Sequence, residues 1–431
     1  MRHLFYARIL VLLTGAMSVA QAISLKEINR PSADTNRVLA IVGATLIDGR
    51  GRPPVPNAVV VVRGVKIDAA GSGKSAKIPA GAEVFDATGR TLLPGFIDSH
   101  FHIERDYELP RLVLSRGVTS LRDPGQWIQI YDPIRRSELP QPRCFVAGPH
   151  LDCPPHAHPL DAFAVTNADE CRRAVSRFVD EGASVIKVYY RLPLELIAEV
   201  CKAAHERGVP VTAHLELVNA NDAIRAGLDG VEHVTSFGTA LAEPDEAERF
   251  RKVVSEDNEA RRRARYELWS RLDLRASPRV RPLLDLILKR KIFLSPTLAV
   301  FERRQGDHGV TEVEARGFEN MLEFVRLCHR AGARIVVGSH STVPKAEYGW
   351  AYQRELELLG ECGLTPLETI STATRNNAEF FRISDRLGTI EPGKLADMVL
   401  LDSDPLKDIR GMRTVERVML NGRWITPQKL N

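Results

Sequence analysis

The sequence places two histidines two residues apart at the end of an apolar run, Pro94-Gly95-Phe96-Ile97-Asp98-Ser99-His100-Phe101-His102. Residues i and i+2 of a strand point to one side, so both imidazoles face the same way. At the C-terminal mouth of a barrel strand that side is the lumen, where two inward imidazoles at one height form half a site for a divalent metal. Three later apolar runs also close on polar residues: Lys187 in Val185-Ile186-Lys187-Val188-Tyr189, His214 in Pro210-Val211-Thr212-Ala213-His214, and His233 in Asp229-Gly230-Val231-Glu232-His233. A lysine pointing inward is costly to bury as an ammonium; it needs an acidic partner, a depressed pKa or conversion to an anion. A carbamate formed with carbon dioxide would supply two oxygens able to bridge two metals, and the alternative is a lysine that snorkels to the rim. Tyr189 faces the same side as Lys187 and is a candidate donor to a developing oxyanion, with Tyr190 next; either could equally be a packing aromatic.

Other polar residues carry less. His150, His156 and His158 lie in a Pro-rich segment after the third strand, where one of them could touch substrate. His205 and His329 sit near helix C-termini, where cations are favoured, and read as structural. Arg122, Arg191 and the arginines between 259 and 265 could bind a substrate carboxylate or be solvated or salt-bridged.

The elements that must position these groups follow from the hydrophobic pattern. Short apolar runs alternate with helical stretches from Thr91 onward, giving eight expected strands: Leu93 to Asp98, Val118 to Arg122, Arg143 to Ala147, Ser184 to Tyr189, Pro210 to Ala213, Gly230 to His233, Ile292 to Ser295 and Arg334 to Val337. Eight strands with helices between predict an α/β fold, a (β/α)8 barrel over 93–387. The charged interval 240–291 is longer than a β/α connection needs and predicts inserted helices on the active-site side, able to act as a lid. Strand-like, turn-rich segments at 38–92 and 388–431 flank the barrel and are expected to join in one β-sandwich.

Composition narrows the function class. Of 431 residues 44% are hydrophobic, and 59 Lys plus Arg against 55 Asp plus Glu leave a net charge of only +4, which gives no reason to expect nucleic acid. Arg2 and Arg8 precede an apolar run from Ile9 to Ala20 ending in Ala20-Gln21-Ala22, which reads as a signal peptide over 1–22 and implies a periplasmic or secreted protein with no stable membrane span. Six cysteines without CxxC spacing support neither a disulfide framework nor a Cys-based zinc site. The Gly73-Lys74-Ser75 turn lacks the leading glycine of a phosphate loop, since position 68 is Asp68.

Taken with the opening Gly43-Ala44-Thr45-Leu46-Ile47-Asp48-Gly49, the segment Gly117-Val118-Thr119-Ser120-Leu121-Arg122-Asp123 and the closing Gly388-Thr389-Ile390-Glu391-Pro392-Gly393-Lys394-Leu395-Ala396-Asp397, the chain resembles the amidohydrolase superfamily, closest to its imidazolonepropionase-like and Xaa-dipeptidase-like branch. The resemblance runs from about Val38 to Ile425. It implies two divalent metals, most simply Zn2+: His100 and His102 on the more buried one, His214 and His233 on the more exposed one, and carboxylated Lys187 as the bridge. One position departs from the family pattern, because His340 stands where the eighth strand normally ends in an aspartate. An imidazole can ligate metal or accept a proton, but one nitrogen cannot do both. Three readings follow: His340 serves as ligand or base, the base is relocated to Glu104 or Asp123, or hydrolysis is lost.

The expected activity is metal-assisted hydrolysis, by an activated hydroxide, of a C–N bond in a small substrate such as a dipeptide or N-acyl amino acid. A mononuclear deaminase-like enzyme is disfavoured by Lys187. The competing class is a binding protein on a hydrolase frame, favoured only by His340. A homo-oligomer is left open.

Overall fold

The computed structural model describes residues 37–425. The expected signal peptide, 1–22, and the last six residues of the 388–431 segment lie outside them. Among the described residues no helix is long and apolar enough to cross a membrane.

The strands of both flanking segments share one eight-stranded sheet. Its centre is Val38–Leu46, antiparallel to Val55–Arg63 on one side and, on the other, parallel first to Glu83–Asp86 and then to Thr91–Pro94. The change of partner falls at Gly43, whose φ of +84° and whose approach to Thr88, where a Cβ would sit 2.3 Å from Oγ1, both require glycine. Met398–Leu401 pairs antiparallel with Thr91–Pro94, followed by Val415–Leu420 and Arg423–Ile425. Alternation with period two buries Leu39, Ile41, Val60, Val62, Met398 and Leu400 in a common core. Lys66–Ser72, which the sequence pattern did not mark as a strand, extends the sheet beside Val55–Arg63.

The expected first barrel strand, Leu93 to Asp98, is two strands. Thr91–Pro94 belongs to the flanking sheet and Phe96–Asp98 to the parallel array, with the break at Gly95, whose N–H donates to the Asp397 carbonyl at 2.8 Å. A Cβ there would lie 2.2 Å from Thr119 Oγ1, so the chain crosses between layers where no side chain fits.

The other expected strands appear as Val118–Asp123, one residue longer than expected, and, shorter, as Arg143–Val146, Ile186–Val188, Val211–Ala213, Gly230–Glu232, Phe293–Ser295 and Arg334–Ile335. They do not form one closed ladder. Phe96–Asp98, Val118–Asp123 and Arg143–Val146 make a three-stranded parallel sheet, and the rest belong to a seven-stranded one that includes His150–Asp152 and Ala162–Ala164. Strands of two to six residues leave little to pair at the seams. There, a few backbone bonds cross, Ser184 N–H to Val146 O at 2.8 Å at one seam and Ser99 N–H to Val337 O at 2.8 Å at the other.

Between the sixth and seventh strands lie the inserted helices Pro244–Glu256 and Ala260–Ser270, then Val280–Arg290, which leads into Phe293–Ser295. Ala260–Ser270 packs on the long helix Glu312–Ala331, where Gly317 lets the Tyr266 backbone come so close that a Cβ would meet Tyr266 O at 2.7 Å. The long helix starts at a Thr311/Glu314 capping box and ends on left-handed Gly332.

Candidate metal centre

A cavity of about 750 Å³ opens at the C-terminal ends of the parallel strands, lined by His100, His102, Lys187, His214, His233 and His340. All six residues expected as metal ligands from the sequence are therefore brought together. The ligand atoms of His100, His102 and His340 lie within 4.8 Å of one another, and the Nε2 atoms of His100 and His102 are 3.1 Å apart. The His214 and His233 rings are 4.5 Å apart, and His233 is 4.6 Å from His100.

Buried carboxylates set the tautomers of His100 and His214, and a hydroxyl orients His233. Glu232 accepts from His100 Nδ1 at 2.8 Å, from Arg122 at 3.0 Å and from the Thr212 hydroxyl at 2.9 Å. Burial pushes the Glu232 carboxyl up, but the charges of Lys187 and Arg122 and the hydrogen bond from His100 outweigh it and hold it well below the usual range. An ionised carboxylate only accepts, so His100 carries its proton on Nδ1 and turns the Nε2 lone pair to the cavity. His214 Nε2 is 3.2 Å from Glu216 Oε1, leaving Nδ1 unpartnered, and His233 Nδ1 is 2.7 Å from the Thr297 hydroxyl. Burial lowers His100 and His214 to about 3 and takes His233 and His340 well below their ordinary value, so all four are neutral ligands at pH 7.

This donor set fits divalent ions. Lys187 Nζ, His214 Nδ1 and His340 Nδ1 are buried without a hydrogen-bond partner, a costly arrangement unless something else completes them. Burial lowers the Lys187 ammonium to about 8, with the Glu232 charge opposing the shift. His340 is tied in place by its N–H to the His100 carbonyl at 2.7 Å, and Asp98 Oδ1 accepts from both His100 and Ser339, at 3.0 and 2.9 Å. Gly338 permits this approach, since a Cβ there would lie 2.6 Å from His100 Cβ.

The other candidates separate. Tyr189 lines the cavity with its ring 4.3 Å from His150 and 4.8 Å from His214, whereas the Tyr190 hydroxyl donates to Asn258 at 3.0 Å, among the inserted helices. His150 and His158 also line the cavity; His156 stands beside Asp152, 3.9 Å away. Asp123 is saturated by the Ile103 and Gly125 N–H groups and the Tyr131 hydroxyl and lies 3.6 Å from His102 Nδ1, so it orients that ring. Glu104 stays at the rim, bonded to Thr342 at 3.1 Å. Two arginines considered for substrate binding have other partners: Arg122 is fully buried on Glu232, and Arg191 holds Tyr190 and the Val254 carbonyl at 3.0 and 3.1 Å. Arg261, Arg262 and Arg265 do reach the cavity wall.

The sequence reading missed Glu232, Glu216 and Thr297. Glu216 was within reach of period-two reasoning, two residues after His214. Glu232 was not, because neighbours on a strand face opposite ways, and it shares the interior with His233 only because His233 has a left-handed φ of 65°.

A profile of the Amidohydrolase family matches residues 113–425. Curated relatives include an N-acyl-D-aspartate deacylase of Alcaligenes xylosoxydans xylosoxydans, 38% identical over 26% of this chain and 22% of that protein. Adenine deaminase 2 of Desulfotalea psychrophila is 25% identical over 78% of this chain and 50% of its own length, so the chain spans half or less of these relatives. Among solved structures, a putative prolidase from Bifidobacterium longum superposes with a TM-score of 0.69 at 25% identity over 91% of this chain and 95% of that one. A Xaa-Pro dipeptidase superposes at 0.70 and 21% identity over 90% and 100%. With a family match over most of its length, on the segment that carries Lys187, His214, His233 and His340, the chain belongs to the amidohydrolase family.

Proposed function

We propose that the chain is an exported amidohydrolase with two metals, most simply Zn2+, that cleaves the C–N bond of a small amide such as a dipeptide or N-acyl amino acid, and that its two parallel sheets are arcs of a (β/α)8 barrel. The observation that carries this is Lys187: its Nζ is buried without a hydrogen-bond partner, close enough to both His100 and His233 to shift their titration. A carbamate at Nζ would convert a buried cation that makes no hydrogen bond into an anionic group able to hold metal between His100/His102/His340 and His214/His233. When bound, divalent ions supply Lewis acidity and activate water for attack on a carbonyl.

The chain's own residues orient the reaction. Burial raises the Tyr189 phenol, so it stays a neutral donor facing the cavity, suited to a developing oxyanion. His340 Nδ1 is buried without a hydrogen-bond partner, so its ring is free to hold metal or to take the proton that an aspartate would otherwise take. The N-acyl-aspartate deacylase and Xaa-Pro dipeptidase names among the similar proteins support amide cleavage.

His340 also favours a second reading, a binding protein that has lost its general base. Elemental analysis of purified protein, with a turnover screen on dipeptides and N-acyl amino acids, decides between them. About two metals per chain with turnover are expected for the enzyme. One metal or none, with turnover appearing only in His340→Asp, would leave the binding protein.

A further inference from the structure

We propose that the inserted helix Ala260–Ser270 forms a carboxylate subsite, so that the substrate carries a carboxylate next to its scissile bond. This narrows the hydrolase reading and rests on it. The helix sets Arg261, Arg262 and Arg265 against the cavity wall. Beneath them lies one carboxylate, Glu216, shared by two guanidinium groups. Arg265 Nε bonds it directly, while Arg261 reaches it only at 3.5 Å, long for a charge-assisted bond. Arg261 is 3% exposed, lines the cavity, and its Nε has no hydrogen-bond partner. It is a buried cation with an open donor, the condition a ligand oxygen relieves. Arg262 is exposed at the same wall and, among the described residues, has no ion-pair partner.

Charge and position define the ligand. Arg261, Arg262 and Arg265 against Glu216 leave a net charge of +2 at this wall, which selects an anion such as a carboxylate. Arg265 lies 3.4 Å from His214 Nε2, and Arg261 lies against the Tyr189 hydroxyl. The subsite thus borders both a metal-binding histidine and the proposed oxyanion donor. A carboxylate seated there is close to the reacting carbonyl, as the α-carboxylate of an N-acyl amino acid or dipeptide is, and not at the end of a long side chain.

The test uses the full-length metal-loaded protein and matched pairs of N-acyl amino acids and their C-terminal carboxamides, which share the scissile bond. Wild type is expected to prefer the acid by roughly 30-fold or more in kcat/KM, mostly through KM. Arg262→Ala, on an exposed side chain, and Arg261→Met are each expected to shrink that preference by about tenfold or more. Equal use of acid and carboxamide by wild type, or an unchanged preference in both variants, overturns the proposal. If neither compound is turned over, the hydrolase reading fails, and calorimetric titration with the same pairs still reads the subsite: tighter binding of the acid supports it and equal binding overturns it.

Discussion

Thr297 places its hydroxyl 2.7 Å from Nδ1 of His233 and does so from a left-handed backbone, φ 47°. Glu355 holds that geometry, its two carboxylate oxygens accepting from the N–H groups of Leu298 and Ala299 at 2.9 and 2.8 Å. The relay runs from a helix on the outside of the strands to a ring at the metal centre.

Thr297→Val removes the hydroxyl that orients the His233 ring. Metal affinity is expected to fall by about 10–100-fold. Metal titration followed by elemental analysis checks this, and an unchanged circular dichroism spectrum separates it from misfolding.

Glu355 predicts a pH dependence of stability. Burial drives its carboxyl up to about 8; the Ala299 and Leu298 amides oppose the shift and the charges of Asp98 and Glu302 add to it. An unfolded glutamate titrates near 4.5. The folded chain therefore holds this proton more tightly, and the stabilisation is fully present below about pH 4.5 and lost as pH rises through about 8. Urea unfolding at pH 5 and pH 8 should show a loss of about 1–3 kcal/mol that is smaller in Glu355→Gln.

Glu232→Gln leaves the fully buried Arg122 guanidinium without its counter-charge. The expected cost is about 3–5 kcal/mol in denaturant unfolding. Glu104→Gln, at the exposed rim, is expected to stay within about 0.5 kcal/mol.

Lys187→Met has opposite effects on two readouts. Removing an unpartnered buried ammonium should stabilise the metal-free protein by about 1–3 kcal/mol. Metal content should fall from about two to about one per chain. A melting temperature measured in chelator, beside elemental analysis of the loaded protein, reads both.

How much of this was legible depended on distance along the chain. His100, His102 and His214 sit just past the end of an apolar strand and Lys187 lies within one, so local period-two reasoning found them. Glu232 and His233 share the interior through a backbone conformation no periodicity reveals. Arg122 reaches Glu232 across 110 positions and Thr297 reaches His233 across 64, so neither pairing leaves a local trace. The break at Gly95 was hidden for another reason: Leu93 to Asp98 reads as one apolar run because both layers bury it.

The flanking sheet sets the order of assembly. Thr91–Pro94 lies between Val38–Leu46 and Met398–Leu401, and Met398 opposite Pro94 is made about 300 residues later. At ribosomal speeds of about 5–20 residues per second the early strands wait on the order of 15–60 s for that neighbour. During that interval Thr91–Pro94 is an unpaired apolar edge, prone to wrong pairing. Phe96–Asp98, which leads directly to His100, is joined to it through Gly95, so the candidate metal site is tied through one residue to a strand whose second neighbour comes late. The edge of Thr91–Pro94 that Met398–Leu401 covers is therefore expected to stay open in a nascent chain until residues 398–401 are made.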